Sequence, residues 1–381
     1  MKRKPFVILL AVAALSLTAS HHNYKKWDRL TLWWVLQFSP PDWAQKQIDA
    51  DFLPFAAITQ PSLDETFEKI ASQNIPVYRY RIIDNQIYRK PEQDHGGRAA
   101  LYDKILKRLQ RSAPLPTLDF LLCVMDGVPE VYVPSRFWIT EHQAPLLCWA
   151  KKKDAPSLIL VPDFLTTRES GWHNDITILN AQYQSQPWEH RLEKAFWRGT
   201  ASDKTYTPDN YTQKPRYRIS QLSYNHPDLI DARFCKAPEA VSQLLAHLIA
   251  GHTSLAGHLT YKYLPVLDGW MCTFPGYQWR LLSGSLTLKQ ESDEIQYFYS
   301  ALKPYEHYLP IQNDMGDLLA QIEWAKKHDP ECHAISENAR KFAQQNLMPN
   351  QIYSYLYWVL NRYASLQDFT DLTIDKSWTK I

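Results

Sequence analysis

Glycine is scarce in this chain: 11 residues in 381, against 25 prolines, so loops are many and stiff. Cysteine is scarce too. Cys123, Cys148, Cys235, Cys272 and Cys332 are odd in number and widely spaced, and no C-x-x-C pair occurs. That pattern argues against a disulfide framework or a zinc site, and for small buried hydrophobes in a reducing compartment. Neither sign of charge dominates, with 42 Lys plus Arg, 40 Asp plus Glu and a net charge of +2. A dedicated nucleic-acid binder carries a basic excess, so no nucleic-acid partner is expected. P-loop, G-x-G-x-x-G, H-E-x-x-H, G-x-S-x-G and protein-kinase signatures are all absent. No acidic motif is assigned to a metal, and no cofactor or metal is expected. Beyond the first 20 residues, no apolar run is long enough to cross a bilayer.

The chain has ordinary globular proportions, 45% hydrophobic and 22% charged, and its length fits about two domains. Aromatics reach 13%, with 14 Trp and 22 Tyr, which suits either stacking on sugars or bases or a large core with aromatic rims. Lys2, Arg3 and Lys4 precede an apolar run from Phe6 to Leu15, extended through Leu17, and then Thr18, Ala19 and Ser20. Residues 1–22 are thus expected to be a signal peptide or short membrane anchor. The protein is expected to be membrane-associated or secretory, with peripheral membrane contact through its N-terminus. The few cysteines and the short apolar run lean towards the bacterial inner membrane.

Asp42 to Phe55 reads as an amphipathic helix entered through Pro40-Pro41. Pro76 to Tyr88 reads as a hairpin turning at Asp84-Asn85. A helix is expected over Ala99–Gln110 and short strands over Phe120–Met125, Leu146–Ala150 and Leu158–Val161. Polar residues around Pro187 mark a boundary. The expected division is an acceptor-side α/β domain over 23–187, a donor-binding α/β domain over 188–346, and a C-terminal helix and tail over 347–381. In the second half, strands are expected over Lys194–Trp197, Leu229–Phe234 and Tyr261–Leu267. Helices are expected over Tyr217–Leu222, Asp317–Lys327, Glu331–Asn346 and Gln351–Tyr363.

Three local features could carry chemistry. Asp126 ends an apolar strand, where α/β sheets gather ligands and a carboxylate can take a proton from a hydroxyl; equally, Asp126-Gly127 reads as a turn. Arg198-Gly199-Thr200-Ala201-Ser202 follows a strand, so small residues and an Arg could meet an anion; alternatively Arg198 pairs with a carboxylate. Lys262, Asp268-Gly269 and Ser283-Gly284-Ser285 offer a point charge, a sugar-binding carboxylate and hydroxyls near close-approaching backbone. Taken singly, each also reads as core or turn. His21-His22 and the pair His252 and His258 read as inert, surface or structural residues.

Ala195-Phe196-Trp197-Arg198-Gly199, Tyr261-Lys262-Tyr263-Leu264, Asp268-Gly269 and Leu282-Ser283-Gly284-Ser285 occur in the order of the CAP10/Rumi-type glycosyltransferases, family 90. Leu302-Lys303-Pro304-Tyr305-Glu306-His307-Tyr308-Leu309-Pro310-Ile311 resembles that family's L-K-P-W-x-H-Y-x-P-V block and is the most specific signal. The resemblance covers roughly residues 40 to 365. It implies a GT-B-like α/β fold, two Rossmann-like domains facing a cleft, with the C-terminal helix returning to the N-terminal domain. It implies an inverting transferase that moves glucose or xylose from a UDP-sugar to an acceptor hydroxyl on a glycan, such as lipopolysaccharide, or on a protein. Asp126, shortly before Pro129, matches the family's catalytic base. Arg198, Gly199, Thr200, Ser202, Lys262, Asp268, Gly269, Thr273, Ser283, Gly284 and Ser285 fall on its donor side. One departure stands out. Where the family shows S-x-R after Asp-Gly, this chain has Thr273-Phe274-Pro275, and Arg280 is out of register. The lost Arg keeps open a second reading, a non-catalytic nucleotide-sugar or glycan-binding protein.

Overall fold

The computed structural model describes residues 30–72, 75–90, 97–126, 143–167 and 171–381. The N-terminal segment expected to target the chain, Gly127 and Pro129 lie outside the described residues.

The first sheet has six strands in the order β13-β2-β1-β3-β4-β6. They are β1 (Val77–Ile83), β2 (Gln86–Arg89), β3 (Leu118–Cys123), β4 (Leu146–Cys148), β6 (Leu158–Leu160) and β13 (Thr379–Lys380). Asp84 and Asn85 take the positive φ values of 47° and 61° that a tight hairpin needs, so β1 and β2 pair around them. β3, β4 and β6 are mutually parallel, whereas β1 runs antiparallel to β3. This sheet is therefore mixed, unlike a wholly parallel Rossmann sheet. β3 is buried on both faces, as its apolar Phe120–Cys123 run dictates, and Asp119 within it is paired with Arg79 at 2.8 Å and Arg81 at 2.7 Å.

The second sheet is wholly parallel, in the order β12-β10-β9-β7-β8. Its strands are β7 (Leu192–Thr200), β8 (Ile230–Lys236), β9 (Tyr261–Val266), β10 (Leu286–Gln290) and β12 (Leu309–Ile311). Numbered within this unit, the order reads 2-1-3-4-5, a doubly wound sheet whose direction of winding reverses between β7 and β9. β7 is longer than expected, so Arg198-Gly199-Thr200 lies within the strand and not in a loop after it.

The chain passes between the sheets through the helix Gly171–Ser185, which packs on the helices Leu255–His258 and Gly276–Leu282 of the second unit. The helix Pro349–Leu366 returns to the first unit, against β3 and the helix Asp42–Phe52. Tyr353, Tyr355 and Tyr363 of this helix are fully buried, which accounts for part of the aromatic content. The five cysteines are free and four are buried. Among the described residues no helix is long and apolar enough to cross a membrane.

Candidate active site

The carboxyl ends of the two sheets meet. After β4 the chain forms β5 (Lys151–Lys152), which pairs antiparallel with β11 (Glu294–Ile295), the segment following β10. The Lys153 N–H donates to the Asp293 carbonyl at 2.9 Å. Ala150 packs with Met271 and Cys272, and the Trp149 ring meets Phe274 edge-on at 6.2 Å.

Asp126 lies on the first-sheet side of this junction, three residues beyond β3. Its Oδ1 is 3.1 Å from Arg98 Nη2, and its side chain is 41% exposed. Arg98 also donates to the Val124 carbonyl at 2.8 Å, and its guanidinium lies 5.2 Å from the Phe164 ring and 5.7 Å from the Trp149 ring. Arg98 therefore fixes the carboxylate relative to the aromatic wall that touches Phe274.

On the second-sheet side, Arg216 occupies the winding reversal between β7 and β9. This residue is buried, and its guanidinium donates to the carbonyls of Thr200 at 2.8 Å, Asp268 at 2.8 Å and Leu267 at 3.2 Å, and to Ser202 Oγ at 2.9 Å. Burial lowers its pKa, and the nearby Asp203 and Asp268 oppose that shift. A side chain on Gly269 would come within 3.2 Å of Arg216 Nη2. Thr200, Ser202, Asp268 and Gly269, distant in sequence, are thus brought together around one cation. Asp268 is bonded by Ser292 Oγ and lies 3.7 Å from Lys289 Nζ, while Lys204 pairs with Glu294 at 3.0 Å. Beside this cluster is a cavity of about 290 Å³. Gln47 and Lys153 line it from the first unit, and Lys289, Ser292, Glu294 and Tyr308 from the second. Tyr308 belongs to the Leu302–Ile311 block, where a turn at Tyr305 (φ 59°) leads into β12.

Other expected donor residues lie elsewhere. Ser283-Gly284-Ser285 precedes β10 and Lys262 is the second residue of β9, so both are at the amino ends of the parallel strands. At about 3.3 Å per residue that end is roughly 20 Å from Asp268, too far for one diphosphate to touch both. There Arg191 Nη1 donates to Ser285 Oγ at 2.7 Å and Nη2 to the Ser283 carbonyl at 3.2 Å. Ser285 Oγ in turn donates to the Tyr261 carbonyl at 2.8 Å, and Lys262 is paired with Glu193 at 2.9 Å and Asp329 at 2.7 Å. These groups lock strand starts together. Arg198 is likewise engaged: Nη2 meets Asp231 Oδ1 at 2.8 Å, and Nη1 donates to the carbonyls of Trp197 and Asp231, each at 2.9 Å. Its side chain pairs with a carboxylate, as the alternative reading held. Gly199 is packed against the Trp197 ring, only 2.4 Å from where a Cβ would stand. The chain also holds a D-x-D string, Asp49-Ala50-Asp51. It lies in a helix, and Asp51 is bonded by Lys151 Nζ at 2.7 Å and the Leu160 N–H at 2.9 Å. Among the described residues no cluster of three or more His, Cys, Asp or Glu could hold a metal.

Residues 40–381 match the family model described as Glycosyl transferase family 90. The chain belongs to glycosyl transferase family 90. Human protein O-glucosyltransferase 3 is 29% identical over 368 residues, 91% of this chain and 66% of the relative. Its mouse counterpart is 31% identical over 328 residues, 81% of this chain and 59% of the relative. The chain therefore spans about three fifths to two thirds of the length of these relatives. They are animal proteins, and a bacterial inner-membrane setting gains no support from them. Among solved structures, Anabaena Alr3699/HepE in complex with UDP and glucose is similar at a TM-score of 0.38 and 11% identity, over 69% of this chain and 76% of that one.

Arg216, Lys289 and Glu294 were not singled out from sequence. The rule that pointed to Asp126, a polar residue at the end of a buried strand, also applies to Lys289-Gln290-Glu291-Ser292, which closes and follows β10.

Proposed function

We propose that this protein transfers a sugar of the glucose or xylose type from a UDP-linked donor to an acceptor hydroxyl, with inversion. The supporting observation is the convergence of two carboxyl-end edges. Asp126 stands on one, and the Arg216-centred cluster stands on the other, at the winding reversal where doubly wound sheets take ligands. Family membership, and relatives named as O-glucosyltransferases, support the same reading. The acceptor O–H attacks the anomeric carbon from the face opposite the diphosphate. Asp126 takes the proton as the new C–O bond forms and the bond to the diphosphate breaks. The leaving group gains negative charge, which the cation-rich edge around Arg216 and Lys289 offsets. The acceptor is a hydroxyl on a protein or a glycan, and no metal takes part.

Calorimetric titration with UDP-glucose and UDP-xylose, alongside a UDP-release assay, tests this. Binding and turnover of one of the two are expected. Tight binding with no hydrolysis or transfer would favour a nucleotide-sugar-binding protein, and no binding would sink both readings.

A further inference from the structure

Twelve large apolar side chains are exposed among the described residues, and four of them fall between Leu30 and Phe38. Residues 30–35 are helical, and the chain then turns through Phe38. One side of this segment is buried. Leu32 and Leu36, four residues apart, join the core that the helix Pro349–Leu366 also enters, and Asn350 Nδ2 donates to Thr31 Oγ1 at 2.7 Å. The other side holds Leu30, Trp33, Trp34 and Phe38, each exposed by 43% to 50%. A surface helix normally turns charged and polar residues outward. Here the outward face is apolar as well, and the Trp34 and Phe38 rings meet edge-on at 5.4 Å. Exposed apolar side chains gathered in this way mark a docking surface.

Beside the patch lies a cavity of about 280 Å³ walled by Trp34, Phe38, Trp43, Tyr355 and Trp358. The Asn346 amide on its wall is spent: Oδ1 accepts from Trp43 Nε1 at 2.7 Å, and Nδ2 donates to the Phe342 carbonyl at 2.9 Å. Aromatic walls and a committed amide suit an apolar chain better than a sugar, whose hydroxyls need free polar partners.

The upstream sequence indicates what covers this face. Twelve residues, Thr18 to Arg29, separate the apolar run ending at Leu17 from Leu30. Fully extended, they reach about 40 Å, so a run lodged in a bilayer tethers the Trp face close to its surface. The run, Phe6 to Leu17, is shorter than the roughly 20 apolar residues of a spanning helix, and a weak anchor needs a second attachment to hold. Trp favours the membrane–water interface, and Lys25, Lys26 and Arg29, between run and face, carry charge that suits anionic headgroups.

We propose that the face formed by Leu30, Trp33, Trp34 and Phe38 docks on an anionic lipid surface, with its rings at headgroup level and the adjoining cavity open to an acyl chain. Docked so, the first unit, which carries Asp126, stands against the bilayer whatever the donor.

The test uses the full chain with a solvent-sensitive dye on Trp33→Cys, in a Cys235→Ser background because the other four cysteines are buried. Leu244→Cys, exposed in the second unit, is the control site. Vesicles are phosphatidylcholine alone or mixed with phosphatidylglycerol. With the mixed vesicles, the dye at position 33 is expected to shift to the blue and to be quenched by lipids spin-labelled high on the acyl chain, while the dye at position 244 does neither. The triple variant Trp33→Ser/Trp34→Ser/Phe38→Ser is expected to partition into these vesicles at least about tenfold more weakly, its folding checked by lipid-free melting. Should it not fold, Trp33→Ser alone is read. Sedimentation with vesicles while the dye at position 33 stays unshifted would overturn the proposal and leave the apolar run as the anchor. Failure to sediment with either vesicle would overturn it as well. A lipid-free shift that grows with protein concentration would assign the face to a second copy of the chain, and a shift produced by oligosaccharides would make it a glycan site; either overturns the lipid reading. Equal partition into both vesicles would overturn its anionic part.

Discussion

The two ends of the five-stranded sheet carry similar residues in opposite states. At the amino end, Lys262 is matched by Glu193 and Asp329, and Arg191 is spent on Ser283 and Ser285. At the carboxyl end, Arg216 holds backbone carbonyls, while no carboxylate among the described residues pairs with Arg280. Lys289 donates to the Gln290 carbonyl at 2.5 Å and lies 3.7 Å from Asp268. Closed polar networks rigidify, whereas unmatched charge is available to a ligand. Which end of a parallel strand a motif occupies therefore decides what its side chains can do.

Substitution sharpens that contrast. The largest effect is expected at the carboxyl end. Arg216→Met removes the clamp on Thr200, Ser202, Leu267 and Asp268. UDP affinity should fall more than about tenfold, and turnover by on the order of 10²–10³. Affinity within a factor of two of wild type, by calorimetry, would place the donor elsewhere. At the amino end the signature reverses. Arg191→Met leaves a buried hydroxyl and carbonyl short of a donor, at about 1–3 kcal/mol. Its melting temperature should drop, while UDP affinity measured well below melting stays unchanged. Lys262→Met should behave alike and more mildly, because Glu193 and Asp329 are partly exposed.

Gly284→Ala is the next step down. Gly284 has φ +70°, and a Cβ there would lie 2.5 Å from the Tyr183 ring. A stability loss of about 1–3 kcal/mol is expected in denaturant titration, with activity per folded molecule retained. A smaller effect concerns His258, packed between Phe196 and Trp279 with Arg280 and Arg198 nearby. Its folded pKa of about 4 is below the unfolded value of 6.5, so the unfolded chain binds more protons between them. The His258 contribution is therefore complete above pH 6.5 and lost as pH falls towards 4. His258→Phe should flatten that part of the stability profile. Excess EDTA is expected to change turnover not at all; loss restored by Mn²⁺ would show that a metal carries diphosphate charge.

Much of the fold was legible in the sequence, since apolar runs and their breaks are local signals. The Asp84-Asn85 hairpin and the aromatic C-terminal helix follow from patterning, and the strand expected over Phe120–Met125 is found two residues earlier, at Leu118–Cys123, because it extends back through the buried Asp119. The site was less legible, for a physical reason. Ser-Gly-Ser before a strand and Asp-Gly after one look equally suited to a ligand, yet the winding of the sheet sets them at opposite ends. Arg216 was hidden because its partners are the backbones of two other segments. The D-x-D string at Asp49–Asp51 shows the converse: a metal-like pattern consumed by a buried ion pair with Lys151.

The most direct test of the account is UDP release from UDP-glucose and UDP-xylose by wild type and Asp126→Asn, with UDP affinity measured on both. An amide of the same shape cannot take the acceptor proton. Turnover is predicted to fall by about 10²–10⁴-fold while UDP affinity stays within a factor of about two. A variant that keeps more than about half the wild-type rate would contradict it, leaving Asp126 a turn residue held by Arg98.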